Sequence, residues 1–192
     1  DVAFFAVTDN EPAFAAKGND PGTAYVNLDV PAPPLPIRAE IEGAWRGGAD
    51  LTILSCHLGP NMVTEPSPEI RDYHREAALH GFDIIHGHSA HLTQGVERIG
   101  RSLLLHDTGD FIDDYATDPV LRNDWSFVFI LEADRSGPRR LTLVPVILSF
   151  AEVRRAKEEE ADTICERMMK QSANFGTAFT RTAEGLDLAI SV

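Results

Sequence analysis

The chain has 192 residues, of which 43% are hydrophobic and 24% are charged. This length suits about one domain with its own core, so folding requires neither disulfides nor a structural metal. The 17 Lys and Arg against 30 Asp and Glu give a formal net charge of −13, and no basic stripe interrupts the acidic residues. Nucleic acid and anionic membrane surfaces are therefore not expected as partners.

The first half of the chain alternates strand and helix patterns. Near-continuous apolar runs, typical of buried parallel strands, cover residues 2–8, 51–56 and 82–86. Between the second and third runs, residues 68–80 begin with Pro68 and are followed by Gly81, which is the asymmetry expected of a helix. A strand, a helix and a strand in this order predict a βαβ unit with parallel strands.

A further helix is predicted over residues 37–45, after a proline-rich connection over 31–36. The second half has a different character, with strands separated by turn signals that favour antiparallel neighbours. Those strands are predicted over residues 101–106, 125–131 and 141–150. A long helix over 152–171 and a closing hairpin from 177–182 and 186–192 complete the chain. The sequence thus predicts a single α/β domain over residues 1–192 with a mixed sheet.

The two cysteines and the absence of targeting signals say little about location. Cys56 and Cys165 do not make a disulfide framework and are interpreted as reduced thiols. The sequence shows neither a signal peptide nor an apolar run long enough for a membrane span. Localisation stays open between the cytoplasm and a membrane-associated state.

Histidines follow two of the predicted parallel strands. His57 comes directly after the second strand, whereas His86, His88 and His91 follow the third. The carboxyl ends of adjacent parallel strands line one edge of a sheet, so these imidazoles are expected to converge there. Such a cluster suits zinc, manganese or iron, although ordinary loop histidines are the alternative interpretation. His74, by contrast, lies in a helix pattern and is expected at a surface or boundary position.

Four carboxylates occur within residues 107–115, again at a predicted strand end. A solvated acidic loop is the simplest interpretation. If the histidines lie opposite, Asp110 or Asp114 could instead orient a ligand imidazole. Cys56 and His57 are neighbours in a strand, so their side chains should point to opposite faces, which argues against a catalytic Cys-His pair. No nucleotide-binding loop and no serine-hydrolase elbow is found.

Three motifs, over residues 50–61, 81–97 and 107–115, together resemble the bacterial CapA/PgsA family of poly-gamma-glutamate capsule synthesis proteins, a branch of the calcineurin-like metallophosphatases. The resemblance covers about residues 1–190. It implies a four-layer α/β/β/α metallophosphatase-like sandwich with two divalent metal ions, manganese, iron or zinc, at the strand ends. The ligands that it implies are His57, His88 and His91, and the candidate catalytic residues are Asp110 and Asn61.

The chain departs from this family in several places. Leu58 stands where the family usually has Trp, and Cys56 stands where it usually has an aliphatic residue. More importantly, the family's Gly-Asp and Asn-Asn-His-x-x-Asp motifs are not found. Two metals need around eight ligand positions, which three histidines cannot fill. The chain is therefore expected to be the C-terminal portion of a longer domain, whose N-terminal half supplies the remaining ligands.

The resemblance leaves two main functions open. The first is a metal-dependent hydrolase of phosphoester or related bonds, acting on a small-molecule or polymer substrate. The second is a non-catalytic, metal-binding component of a capsule or polyglutamate synthesis complex. A generic α/β domain without metal is the remaining alternative, should the motif match be accidental.

Overall fold

The computed structural model describes residues 1–30 and 38–190, and the predicted connection over 31–36 lies outside the described residues. The α-helices of the described part are α1 (Arg38–Arg46), α2 (Pro68–Leu79) and α3 (Glu158–Ala173), and a short 3-10 helix covers Pro12–Phe14. Its strands are β1 (Val2–Thr8), β2 (Leu51–His57), β3 (Ile84–Gly87), β4 (Thr93–Ile99), β5 (Ser102–Thr108), β6 (Trp125–Asp134), β7 (Gly137–Ser149), β8 (Glu152–Arg155), β9 (Thr180–Arg181) and β10 (Leu186–Ala189).

The first sheet has five strands in the order β1-β2-β3-β5-β4. Strands β1, β2, β3 and β5 are parallel, and β4 is antiparallel to β5. The predicted mixed α/β sheet is confirmed. Strand β4 was not predicted, because its sequence is mostly polar. Its polar side chains are nevertheless buried, including Thr93, Gln94 and Glu97.

The second sheet is antiparallel, in the order β6-β7-β10-β9, and β8 pairs with the C-terminal end of β7. Helix α3 begins at Glu158, so the predicted helix over 152–171 is wrong in its first residues. A tight turn with Ala151 at φ 53° reverses the chain. Val153 then pairs with Leu148 of β7. The backbone hydrogen bonds of this hairpin stabilise residues 152–155 as a strand, although their charge pattern had favoured an earlier start of the helix.

Two apolar cores hold the elements together. In the first core, α1 and α2 pack against one face of the first sheet, and Leu54, Ile85 and Leu104 are fully buried there. In the second core, β4 and β5 pack with the second sheet and α3. The four-layer order that the resemblance implies stays a prediction. No helix in the described residues is both long and apolar enough to cross a bilayer.

Helix α2 fills the first core through one face. Its N-terminus is capped by Ser67, whose Oγ accepts a hydrogen bond from the Ile70 backbone N–H at 3.3 Å. Ile70, His74 and Ala77 recur at helical spacing and all face the sheet. The expectation that His74 lies at the surface is therefore wrong, because this spacing places it on the buried stripe, where it is 1% exposed.

The second sheet covers only part of the first. Phe4, Ile53, Ile84 and Leu103 are register neighbours in one row across β1, β2, β3 and β5. Leu103 is 0% exposed and Ile84 is 4% exposed, whereas Phe4 at the outer strand is 63% exposed. Among the described residues β6 pairs only with β7 and therefore forms an edge of the second sheet. An apolar cleft of about 400 Å³ remains between the two sheets.

Candidate functional site

Three histidine side chains meet where β2 and β3 end. The ring centroids of His57 and His88 are 5.4 Å apart, and those of His86 and His88 are 5.1 Å apart. The parallel register that pairs Cys56 with Gly87 brings the two strand ends to the same edge. Cys56 itself points to the opposite face and is buried in the first core, as predicted.

A backbone carbonyl fixes the ring of His57. Its Nδ1 lies 3.0 Å from the carbonyl oxygen of His88. A carbonyl oxygen can only accept, so Nδ1 carries the proton and donates, and Nε2 keeps its lone pair. This is the tautomer that a metal ligand bound through Nε2 requires.

Hydroxyl groups hold the other two rings. Nε2 of His88 lies 2.7 Å from the Ser55 hydroxyl, and Nε2 of His86 lies 3.1 Å from the Thr108 hydroxyl. The Thr108 hydroxyl donates to the carbonyl of Gly87 at 3.4 Å, so its oxygen is free to accept the Nε2–H of His86. Each ring is thus oriented by a short polar contact from a neighbouring strand.

Burial favours the neutral form of His86 and His88. Desolvation, and next the adjacent His88 ring, lower the pKa of His86. Desolvation and the adjacent His57 ring likewise lower the pKa of His88. The carboxylate of Asp107 acts in the opposite direction on both, but it does not reverse the shift. Neutral rings retain the lone pairs that metal coordination requires.

His91 lies against the acidic cluster rather than in the stacked group. Its Nδ1 is 2.8 Å and 3.1 Å from the two carboxylate oxygens of Asp110, and its ring meets the Tyr115 ring edge-on at 5.0 Å. The carboxylate accepts from Nδ1–H and leaves the Nε2 lone pair available. Burial, followed by the neighbouring Asp113, raises the pKa of Asp110 to about 6, while His91 opposes the shift.

Asn61, the other candidate catalytic residue, is exposed and lines a pocket of about 420 Å³ beside His91 and Tyr115. Asp110 and His86 line the polar end of the apolar cleft between the sheets. Two cavities therefore adjoin the contact between His91 and Asp110. The catalytic roles of Asn61 and Asp110 stay predictions.

One residue of the site, Asp107, could not be recognised from the sequence. It is 4% exposed, and its carboxylate accepts hydrogen bonds from the backbone N–H groups of Ser89, Ala90 and Gly109. Asp107 belongs to a run of four acidic residues whose other members are more exposed. Nothing in that run distinguishes the buried carboxylate from a solvated one.

The donor chemistry of the site fits a transition metal, since His57 and His91 each have one ring nitrogen fixed and the other available. The structure brings His57 and His88 together, whereas the described contacts of His91 are with Asp110 and Tyr115. Within residues 1–30 and 38–190, no three His, Cys, Asp or Glu side chains are placed to hold one ion. The described residues thus supply suitable ligands without closing a site among themselves.

Comparison with known proteins gives a consistent result. The family model described as bacterial capsule synthesis protein PGA_cap matches residues 1–115. The chain is 25% identical over 177 residues to the "PGA biosynthesis protein CapA" of Bacillus subtilis, which covers 89% of this chain and 43% of that protein.

Two further relatives match a smaller share of this chain and of their own length. The "Probable polyglutamine synthesis accessory protein Rv0574c" of Mycobacterium tuberculosis (strain H37Rv) is 24% identical over 132 residues, which cover 66% of this chain and 35% of that protein. The "Capsule biosynthesis protein CapA" of Bacillus anthracis is 28% identical over 114 residues, which cover 59% of this chain and 27% of that protein. The chain therefore spans less than half the length of each of these relatives.

Proposed function

The chain belongs to the bacterial capsule synthesis protein PGA_cap family, and from this premise we propose that it carries the histidine-bearing edge of a metal-dependent hydrolase. The hydrolase would cleave a phosphoester or a related bond, as the metallophosphatases do, and would take part in capsule or poly-gamma-glutamate synthesis. The observation that carries the proposal is the contact between His57 and His88, where the His88 carbonyl fixes the tautomer of the His57 ring at the junction of two parallel strands.

His57, His88 and His91 would hold a divalent ion of manganese, iron or zinc, and the complete centre would contain two such ions. A bound ion of this kind would polarise the oxygen of the scissile group and lower the pKa of a bound water. Asp110 orients His91 through its Nδ1 and lies at the mouth of the apolar cleft, where a small-molecule or polymer substrate would approach. Asn61 would contact the substrate from the neighbouring pocket.

A further polypeptide segment, the N-terminal half of the domain, would supply the remaining ligands. Two observations support this part of the proposal. The apolar row from Leu103 to Phe4 becomes progressively exposed towards β1, and the chain spans less than half of its longer relatives. Partners from a capsule-synthesis complex would bind to the assembled domain.

A non-catalytic role is the second candidate, and the observation that favours it is the word "accessory" in the name of the mycobacterial relative. In this role the same histidines would bind metal, but no bond would be cleaved. The two candidates share the metal site and differ in turnover.

Metal binding is the first test. Equilibrium dialysis of the intact protein, which includes the N-terminal half, against Mn²⁺ and Zn²⁺ should show bound metal, and the triple variant His57→Ala, His88→Ala, His91→Ala should lose it. His80→Ala is the matched control, because His80 lies at the C-terminus of α2 and hydrogen-bonds within that helix. Full stoichiometry in the triple variant would refute the ligand assignment.

Turnover is the second test. Hydrolysis of an aryl phosphate that depends on added Mn²⁺ and disappears in the triple variant would support the hydrolase. Metal binding without hydrolysis, measured on the protein together with its N-terminal half, would favour the accessory role instead.

A further inference from the structure

Asp107 is a buried carboxylate whose described partners are all backbone groups. Its Oδ2 accepts from the N–H of Ser89 at 2.7 Å and from that of Ala90 at 2.8 Å. Its Oδ1 accepts from the N–H of Gly109 at 2.8 Å. Hydrogen bonds to an ionised group are short and strong, and they offset the cost of burying the charge. These three bonds therefore fix the carboxylate relative to two separate backbone segments.

The segments that Asp107 joins carry the candidate ligands. Ser89 and Ala90 lie between His88 and His91, and His91 has a positive φ of 57°, an uncommon conformation for a residue with a side chain. A backbone in this conformation persists only where its surroundings enforce it. The bond from Ala90 N–H to Asp107 immediately precedes this residue and is part of that enforcement.

The second segment carries Asp110. Gly109, at φ 66°, donates to Asp107 and directly precedes Asp110, which in turn accepts from Nδ1 of His91. These contacts form a closed cycle, which runs from Asp107 through Ala90 and His91 to Asp110 and returns through Gly109. The Ser89 hydroxyl connects this cycle to the loop after His57, because it donates to the carbonyl of Gly59 at 2.8 Å.

We propose that Asp107 is a positioning residue that sets the loop of His88 and His91 against the turn of Asp110. The proposal rests on the metal-binding function proposed above and adds to it the group that holds the ligand loops in place. Asp107 is not one of the proposed ligands. It holds the ligand loops through its hydrogen bonds to the backbone of residues 89, 90 and 109.

The test compares Asp107→Ala, Asp107→Asn and the control Glu166→Gln, which removes an exposed carboxylate from α3. Removing a group that orients metal ligands typically weakens metal affinity by about 10- to 100-fold. We expect that loss of Zn²⁺ affinity in Asp107→Ala at a temperature where the protein is folded. Asparagine keeps one acceptor oxygen, so Asp107→Asn should lose less affinity, and Glu166→Gln should keep the wild-type affinity.

A second readout separates positioning from a merely structural role. Asp107→Ala and Asp107→Asn both remove the charge that acts on His88. Long-range ¹⁵N–¹H spectra of the histidine side chains should show the signals of His88 and His91 shifted further in Asp107→Ala than in Asp107→Asn, with His80 as the unchanged reference. Lower thermal stability with unchanged ring signals and unchanged metal affinity would overturn the proposal. If the wild-type protein binds no metal even together with its N-terminal half, the proposed function loses its support, while the imidazole signals still decide the role of Asp107.

Amide exchange in the wild-type chain keeps the proposal testable even if both Asp107 variants fail to fold. The N–H groups of Ser89, Ala90 and Gly109 should exchange slowly, because each donates to a buried carboxylate. Exchange as fast as that of an exposed loop would overturn the proposal.

Discussion

The Nδ1 atoms of His74 and His106 lie 3.2 Å apart in the core between α2 and β5. Nε2 of His106 also lies 2.9 Å from the carboxylate of Glu97, which receives a bidentate contact from Arg75. Because the carboxylate accepts the Nε2–H of His106, the Nδ1 of His106 has a lone pair and accepts from the Nδ1–H of His74. His74 thus donates to His106 and His106 donates to Glu97, which also accepts from Arg75, so the hydrogen bonds of the four side chains converge on the Glu97 carboxylate.

The first prediction concerns acid stability. Burial, and next the His106 ring, lower the pKa of His74 to about 3. Below about pH 6.5 the unfolded chain binds a proton at this residue that the folded chain does not, so stability falls as the pH falls from 6.5 towards 3. The loss from this residue at pH 5 is about 2 kcal/mol relative to pH 7.5.

The variant His74→Asn keeps a donor near Nδ1 but cannot take up the proton. Urea unfolding at pH 7.5 and pH 5.0 should show a smaller difference between the two pH values in the variant than in the wild type. Equal differences in the two proteins would contradict the pKa of His74 as the cause.

The second prediction concerns Glu97. Burial opposes its ionisation, but hydrogen bonds from His106 and Arg75 keep its pKa below the ordinary value. Replacing it by Gln removes the charged acceptor shared by His106 and Arg75 and should lower the free energy of unfolding by about 2 kcal/mol. Glu166→Gln, on the exposed face of α3, is the control and should change it by less than about 0.5 kcal/mol. Chemical denaturation measures both, and a loss in Glu97→Gln no larger than in the control would contradict the prediction.

The third prediction concerns the close approach of β3 and β5. A Cβ atom at Gly87 would lie 1.9 Å from the backbone carbonyl oxygen of His106, which cannot move without breaking the sheet. Gly87→Ala should therefore destabilise the protein by about 3 kcal/mol or more. Gly43→Ala in α1 has open space around the new atom and should stabilise it by about 0.5 kcal/mol. Thermal unfolding should show a lower melting temperature for Gly87→Ala and a higher one for Gly43→Ala. A wild-type melting temperature for Gly87→Ala would contradict the close packing of β3 against β5.

The fourth prediction uses two neighbours in β1. Phe4 faces the open cleft, whereas Phe5 faces the first core and meets the Phe82 ring edge-on at 5.6 Å. In the 192-residue chain, Phe4→Ala should change stability by less than about 0.5 kcal/mol, and Phe5→Ala should cost about 2 kcal/mol. A large loss in Phe4→Ala, measured by urea unfolding, would mean that another part of the molecule covers Phe4.

The convergence of His57 and His88 follows from the sequence, because neighbouring parallel strands end at the same edge of the sheet. The position of His91 apart from the other histidines could not be predicted in this way. His91 adopts a positive φ, and its residue type does not indicate that conformation. The burial of His74 was not predicted, because its polar side chain was given more weight than its position on the helical stripe. Asp107 and β4 were missed because burial of polar residues depends on partners from distant parts of the chain.

The half-covered row from Leu103 to Phe4 also bears on how the chain behaves in solution. It combines exposed apolar side chains with sheet edges at β1 and β6, and surfaces of this kind promote self-association. The net charge of −13 opposes that association through repulsion between copies. Salt screens this repulsion over a distance of about 10 Å at 0.1 M, but leaves the apolar attraction in place. Raising the ionic strength should therefore favour association of copies through the exposed apolar row.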